Sequence, residues 1–391
     1  MKVRPNINFD ENKFLMFIMD DLANHKEYDE KENVIRLTLG KSELPLHDDI
    51  INEMCSALRD PKKSSLVYPA GLPQLQTALS EYYLHTYNAD IAPHKFIISP
   101  GTSTLFRNLF TLLLSPGDEV LLPRPYYSLY HFCALLAGAT IRYYQIDIPS
   151  GKLNINSFKE QFSPKTKVVV INSPGNPLGN ILSDDDIREM DEISNGQAVF
   201  ISDEIYSNTY FDYPVRSSIQ LKDTKSIFIP TNAFSKAYRM YSRRVGYCIC
   251  PDELIEPLTV IQHHTLLTVD PVVQFGAIAA LQRPQDVSQL VELYKTRRDY
   301  TIKKLSTIPL IKPVYSSGGF YITILCSEYM KRYNYSSSLQ LATKIFELTN
   351  VAVVPGSDFG LEGTIRLSFS SNQYTEGIDR LAWFFQTCQH D

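Results

Sequence analysis

The chain has 391 residues, 44% hydrophobic and 21% charged, with 20 Phe and 24 Tyr. That length supports a large domain with a smaller companion, and the composition excludes a disordered polypeptide. A formal charge of -5, with no long Lys/Arg block, excludes a surface that tracks nucleic-acid phosphates and leaves a small molecule as the expected partner.

The opening, MKVRPNINFDENK, lacks an apolar leader, and no uncharged run approaches the roughly 18 residues that span a bilayer. The six cysteines (Cys55, Cys133, Cys248, Cys250, Cys326, Cys388) show no zinc or thioredoxin spacing. The expectation is a cytoplasmic protein with reduced thiols, no membrane partner and no metal. Residues 1–40 read as an N-terminal arm packing with a small C-terminal domain, 41–285 as a large domain, and 286–391 as the small domain.

From residue 94 to 250, β-rich runs alternate with helical patterns, which predicts an α/β domain with a mostly parallel seven-stranded sheet flanked by helices. The expected strands are 95–99, 119–123, 141–146, 167–172, 198–203, 225–230 and 245–250. The last holds C-I-C, whose alternation sends both thiols to one face. Segments 102–114 and 128–139 have helical length and apolar faces, and 183–193 opens with a serine cap and an acidic first turn. Beyond 285 the pattern becomes α+β: a charged helix over 285–307, a strand over 320–325, a helix over 337–349, strands over 351–355 and 364–369, and a final helix over 374–388.

Three motif readings fail. The triplet G-K-S at 40–42 lacks the upstream glycine of a P-loop, because Ile35 stands there. No G-x-G-x-x-G follows a strand, and His263 and His264 have no partners at metal-ligand spacing.

Polar residues at four strand ends carry the remaining signal. S-P-G-T-S (99–103) ends a strand and opens a helix at Thr102 and Ser103, aiming free N–H groups at an anion; an ordinary capped turn has the same residues. N-S-P-G-N-P-L-G (172–179) is stiff enough to hold one amide in place, although turns favour these residues for local reasons. Asp203 follows the apolar run AVFI, so at the end of a central strand its carboxylate requires a cationic partner. Arg244, eight residues after Lys236, can fork onto a phosphate and help depress the lysine's pKa, which favours a nucleophilic amine.

With Tyr68, 101-GTS-103, 123-PRPYY-127, 172-NSPGNPLG-179, 203-DEIY-206, 235-SK-236 and 244-RVG-246 in this order, the chain resembles the class I/II aminotransferases, the fold type I pyridoxal 5'-phosphate (PLP) enzymes. The likeness continues through 318-GGFY-321, 355-PGSDFG-360 and 364-TIRLSF-369. It implies that Lys236 forms the Schiff base with PLP and shuttles the substrate proton, and that Asp203 pairs with the pyridine nitrogen. Asn176 and Tyr206 would hydrogen-bond the ring's O3', and Tyr127 would stack on the ring. Gly101, Thr102, Ser103 and Arg244 would hold the phosphate, with Tyr68 reaching in from a second subunit of a homodimer. Arg366 would bind the substrate carboxylate, and Gly40 would let the backbone approach it. Tyr126 and Tyr130 read as packing or mouth residues.

The chain departs from the family pattern at Ala233, Leu178 and Ser242, with bulky Met240 and Tyr241 before the last. Where one route to dicarboxylates uses a lysine, Ser103 stands. The leading reading is amino-group transfer between an L-amino acid and a 2-oxo acid. A cyclase or oxidase of an arginine-like substrate, or a β/γ-eliminating lyase, shares the scaffold, whereas a noncatalytic regulator lacks room for a DNA-binding module before Gly40.

Overall fold

A computed structural model describes residues 15–29, 33–38, 40, 42 and 44–387. Cys388, the opening segment to residue 14 and the last residue of the expected final helix lie outside the described residues.

Strand β1 (Ile35–Arg36) precedes the strands of the main sheet: β2 (Phe96–Ser99), β3 (Glu119–Arg124), β4 (Thr140–Gln145), β5 (Thr166–Asn172), β6 (Val199–Asp203), β7 (Phe228–Ala233) and β8 (Gly246–Ile249). Their order is β2-β8-β7-β6-β5-β3-β4, seven strands of which β8 alone runs opposite to the other six. The central strands are apolar on both faces because helices cover both. Val168, Val170, Ile201 and Ile229 pack with the helix Thr102–Leu113, while Val169, Ile171 and Phe200 pack with the helix Asp184–Ser194. Cys248 and Cys250 are buried in one cluster, as alternation requires.

The strand expected from residue 225 begins at Phe228 instead. The N–H groups of Lys225 and Ser226 donate to the Asp191 carboxylate at 2.8 Å each, so this backbone is held by a helix side chain rather than by the ladder. Helices Asp48–Arg59, Pro73–Tyr87 and Pro271–Leu281 are additional to those expected. The last two start with proline at the first helical position, a signal the sequence did carry.

After the helix Pro284–Leu305 the chain forms β9 (Lys312–Pro313), β10 (Tyr321–Leu325), β11 (Val351–Ala352), β12 (Val354–Pro355) and β13 (Thr364–Ser368). The single strand expected over 351–355 is two, because the chain changes sheets at Val353. β11 pairs parallel with β1, whereas β12 joins the antiparallel order β12-β13-β10-β9. Ile35 N donates to Asn350 O, Leu37 N to Ala352 O, and Ser368 N to Leu37 O, each at 2.9 Å. Residues 33–38 are thereby stitched to the C-terminal strands, and Met19, Ala23, Ile35 and Leu37 share a core with Ile345, Val351 and Leu367.

The turn after β5 joins the two halves. Gly179 has φ +69°, and its carbonyl accepts from Ser317 N at 2.9 Å and Gly318 N at 3.0 Å. A Cβ at Gly179 would run into Ser316 Oγ and Gly318 O. Gly179→Ala is expected to destabilise the protein by about 2 kcal/mol or more, combining left-handed strain with this collision; equilibrium urea denaturation checks it.

Candidate active site

The parallel strands β5, β6 and β7 end side by side, with Asn172 in register with Asp203 and Asp203 with Thr231. Open α/β sheets place ligands beyond such carboxyl ends. A cavity of about 300 Å³ lies there, and Asp203, Tyr206, Asn176, Tyr127, Thr102, Ser103, Lys236, Arg244, Arg366 and Gly40 all line it. The expected site residues are thus brought together from seven separate segments, with Gly101 beside them and Tyr68 as the exception.

Lys236 stands on the turn after β7, and its Nζ donates to Gly40 O at 2.6 Å. Burial, with Arg366 and Arg244 nearby, lowers its pKa to about 7, against the opposing pull of Asp203. Asp203 is buried; its Oδ2 accepts from Tyr130 OH at 2.5 Å and its Oδ1 from Ile205 N at 3.2 Å. Burial outweighs these bonds and raises the carboxyl to about 6. Tyr206 OH donates to Tyr321 OH at 3.4 Å.

Arg366 is buried on β13 between the rings of Tyr321 and Phe359, 4.1 and 4.8 Å from their centroids. Its Nη1 donates to Asn176 Oδ1 at 3.2 Å and its Nη2 to Thr38 O at 2.7 Å, while Nε is buried without a protein partner. At the other end, the helix Thr102–Leu113 begins at Gly101 (φ 77°) with no side-chain cap, so its first N–H groups are free to meet a ligand. Arg244 lies against this terminus: its Nη1 donates to Ser235 Oγ at 3.3 Å and to Tyr241 O at 3.0 Å. Any side chain at Gly101 would strike the Arg244 guanidinium.

Tyr68 does not line the cavity; its side chain is 40% exposed, and its backbone is tied to Thr268 by hydrogen bonds of 3.3 and 2.9 Å. Tyr130, read as a packing or mouth residue, instead holds the Asp203 carboxylate from deep in the cavity. Its spacing of three from Tyr127, at a helix start, was the available signal. Thr231 and Asn232, the two polar residues before Ala233, do not line the cavity: Thr231 Oγ1 donates to Ser202 O at 3.3 Å and Asn232 Nδ2 to Ser207 Oγ at 3.1 Å. Ser235, Tyr241 and Tyr321 line it and were not singled out as site residues. Leu178 is simply buried in the sheet core.

The sequence profile of the family described as aminotransferase class I and II matches residues 32–382. The chain belongs to the class I and II aminotransferases. It is 33% identical over 347 residues to the probable aspartate/prephenate aminotransferase of Aquifex aeolicus, covering 85% of this chain and 86% of that protein. It is 30% identical over 321 residues to the aspartate aminotransferase of Bacillus sp. strain YM-2, covering 80% and 82%. The crystal structure of the Thermotoga maritima aspartate aminotransferase superposes with a TM-score of 0.87 at 26% identity, over 97% of this chain and 99% of that one.

Aminotransferases of this family use PLP, and the cavity fits that group. The uncapped helix terminus beside Arg244 suits a phosphate, the buried Asp203 carboxylate calls for a cation, and the unpartnered Nε of Arg366 leaves a donor for a carboxylate. Among the described residues no helix is long and apolar enough to cross a membrane.

The two shifted groups set opposite pH dependences in the cofactor-free protein. Unfolded, Lys236 keeps its proton up to its ordinary 10.5, so between about 7 and 10.5 the unfolded state binds more protons and the cost of burying this lysine fades as pH rises. Asp203 binds a proton up to about 6 when folded but only to 3.8 when unfolded, so its burial cost grows over that window. Lys236→Met is therefore expected to stabilise the apoprotein at and below pH ~7, with the gain vanishing toward pH ~10. Asp203→Asn is expected to stabilise it above pH ~6 and not below ~4. Urea midpoints across this range test both signs.

Proposed function

We propose that Lys236 is the cofactor-binding amine and proton carrier of this aminotransferase, which exchanges an amino group between an L-amino acid and a 2-oxo acid. The carrying observation is the convergence of Lys236, Asp203, Arg244 and Arg366 on one cavity. When bound, PLP supplies an aldehyde for the amino group and a protonated ring that draws electrons from Cα.

The chain's residues supply the remainder. Arg244, with the Thr102 and Ser103 amides, holds the phosphate, and Gly101 leaves room for the guanidinium. Asp203, steadied by Tyr130, keeps the ring nitrogen protonated. Asn176 and Tyr206, which line the same cavity, would hold the ring's phenolic oxygen, and Tyr127 would cover its face. Arg366 binds the substrate carboxylate and so points the Cα–H bond at Lys236, with Gly40 giving close approach. Lys236 Nζ takes the Cα proton, and its lowered pKa leaves the amine free to do so at neutral pH.

The working unit is a homodimer with shared sites. Tyr68 is exposed beside Leu266 and Leu267, 40% and 49% exposed, on the segment tied to it through Thr268. Covering that apolar face with a second copy would carry Tyr68 of the partner subunit to the phosphate. Unpaired cysteines, among the described residues, support the cytoplasm as its location, and amino-acid biosynthesis is the role that fits.

The purified enzyme is expected to form one new amino acid per 2-oxo acid released when given an amino-acid panel with pyruvate or 2-oxoglutarate; turnover without an acceptor would overturn transamination. Lys236→Ala should abolish the borohydride-sensitive visible absorbance and slow turnover by about 10³-fold or more. Mixing Lys236→Ala with Tyr68→Ala protomers should restore activity to about a quarter of wild type, because each mixed dimer regains one intact site. No recovery on verified subunit exchange would refute sharing.

A further inference from the structure

Among the described residues, the positive charge in the cavity is committed. Among the described residues that line it, the cations are Lys236, Arg244 and Arg366. In the proposed reaction Arg244 serves the phosphate, Arg366 the α-carboxylate, and Lys236 the amine. Among the described residues, a second carboxylate on the substrate would find no further cation to replace its water, which is costly.

Among the described lining residues, Tyr241 is an exposed aromatic with no part in that scheme. It opens the short helix Tyr241–Arg243 and is 41% exposed, the ring centroid lying 5.3 Å from Lys236 Nζ. Its backbone is held because its carbonyl accepts from Arg244 Nη1. The exposed ring therefore stands beside the amine, with the Arg244 guanidinium 6.0 Å from its centroid. The segment that would accompany Tyr68 of the partner subunit adds the exposed, uncharged Leu266 and Leu267, with His263 and His264 one turn back in the same helix. With that segment in place, the mouth would combine a flat phenol face with aliphatic walls.

We propose that Tyr241 is a specificity-determining residue: its ring is the platform for the substrate side chain, and the enzyme prefers amino acids with planar, non-acidic side chains, aromatic or guanidinium, over aspartate and glutamate. This rests on the transaminase reading above. A planar group stacks on a phenol face whether it is an aromatic ring or a guanidinium cation, so the shared chemistry is the π face.

Unreactive analogues test it by isothermal calorimetry on the PLP-loaded enzyme. We expect 3-phenylpropionate or 4-guanidinobutyrate to bind roughly tenfold tighter than succinate, and the better of the two identifies the side chain. Tyr241→Ala should weaken that binding about fivefold to tenfold and leave succinate unchanged, whereas Tyr241→Phe should retain it. In turnover the same variants should change kcat/KM for the matching amino acid in parallel. Tighter succinate binding, an equal effect on all three ligands, no effect of Tyr241→Ala, or no binding by any of them overturns the proposal. Cofactor absorbance separates the two readings: its absence from the wild type defeats the PLP assignment, whereas its persistence in Tyr241→Ala confines a negative result to the platform.

Discussion

A carboxylate buried at the end of a central strand organises this molecule. Asp203 is buried at the tip of β6, between β5 and β7, where, among the described residues, Tyr130 OH and one backbone N–H meet its carboxylate oxygens. Burial makes the anion costly and raises its pKa, so a cation placed beside it would stabilise the charged form. The residues around it, including a lysine whose amine burial drives toward neutrality, are arranged for one ligand that brings a ring cation, an aldehyde and a phosphate.

Arg366 ties that arrangement to the remainder of the chain. One guanidinium reaches Asn176 on the turn after β5 and the Thr38 carbonyl in the N-terminal segment, while its own strand belongs to the C-terminal sheet. Three parts of the chain far apart in sequence therefore meet at the group proposed to read the substrate carboxylate. The pairing of β1 with β11 holds Thr38 in place, so the short N-terminal strand contributes to the site without offering it a side chain.

Much of the site was legible because its chemistry is local. Gly101 before Thr102 and Ser103, the stiff turn over 172–179, Asp203 after an apolar run and the Lys236 to Arg244 spacing each lie within one strand end and its loop. What was missed depends on contacts between segments. Tyr321 lies on β10 opposite Ser368, which makes it a diagonal neighbour of Arg366, and only the antiparallel register reveals that. Ser235 matters because Arg244 folds back onto it, and the start of β7 shifted because a carboxylate on the helix Asp184–Ser194 captured two N–H groups.

The order of strands and helices, the family and the cofactor chemistry follow from residues near one another in the chain, since periodicity and strand-end motifs express short-range physics. Folding was required to bring Lys236 to 2.6 Å from the Gly40 carbonyl, to split 351–355 between two sheets, and to turn Tyr130 onto Asp203. Those outcomes depend on long-range packing and register, which no local pattern encodes. Within A-F-S-K-A-Y-R-M-Y-S-R-R, the lysine and the second arginine of the doublet announced themselves by type and spacing, whereas Tyr241 became a wall of the cavity only when its turn closed over the amine.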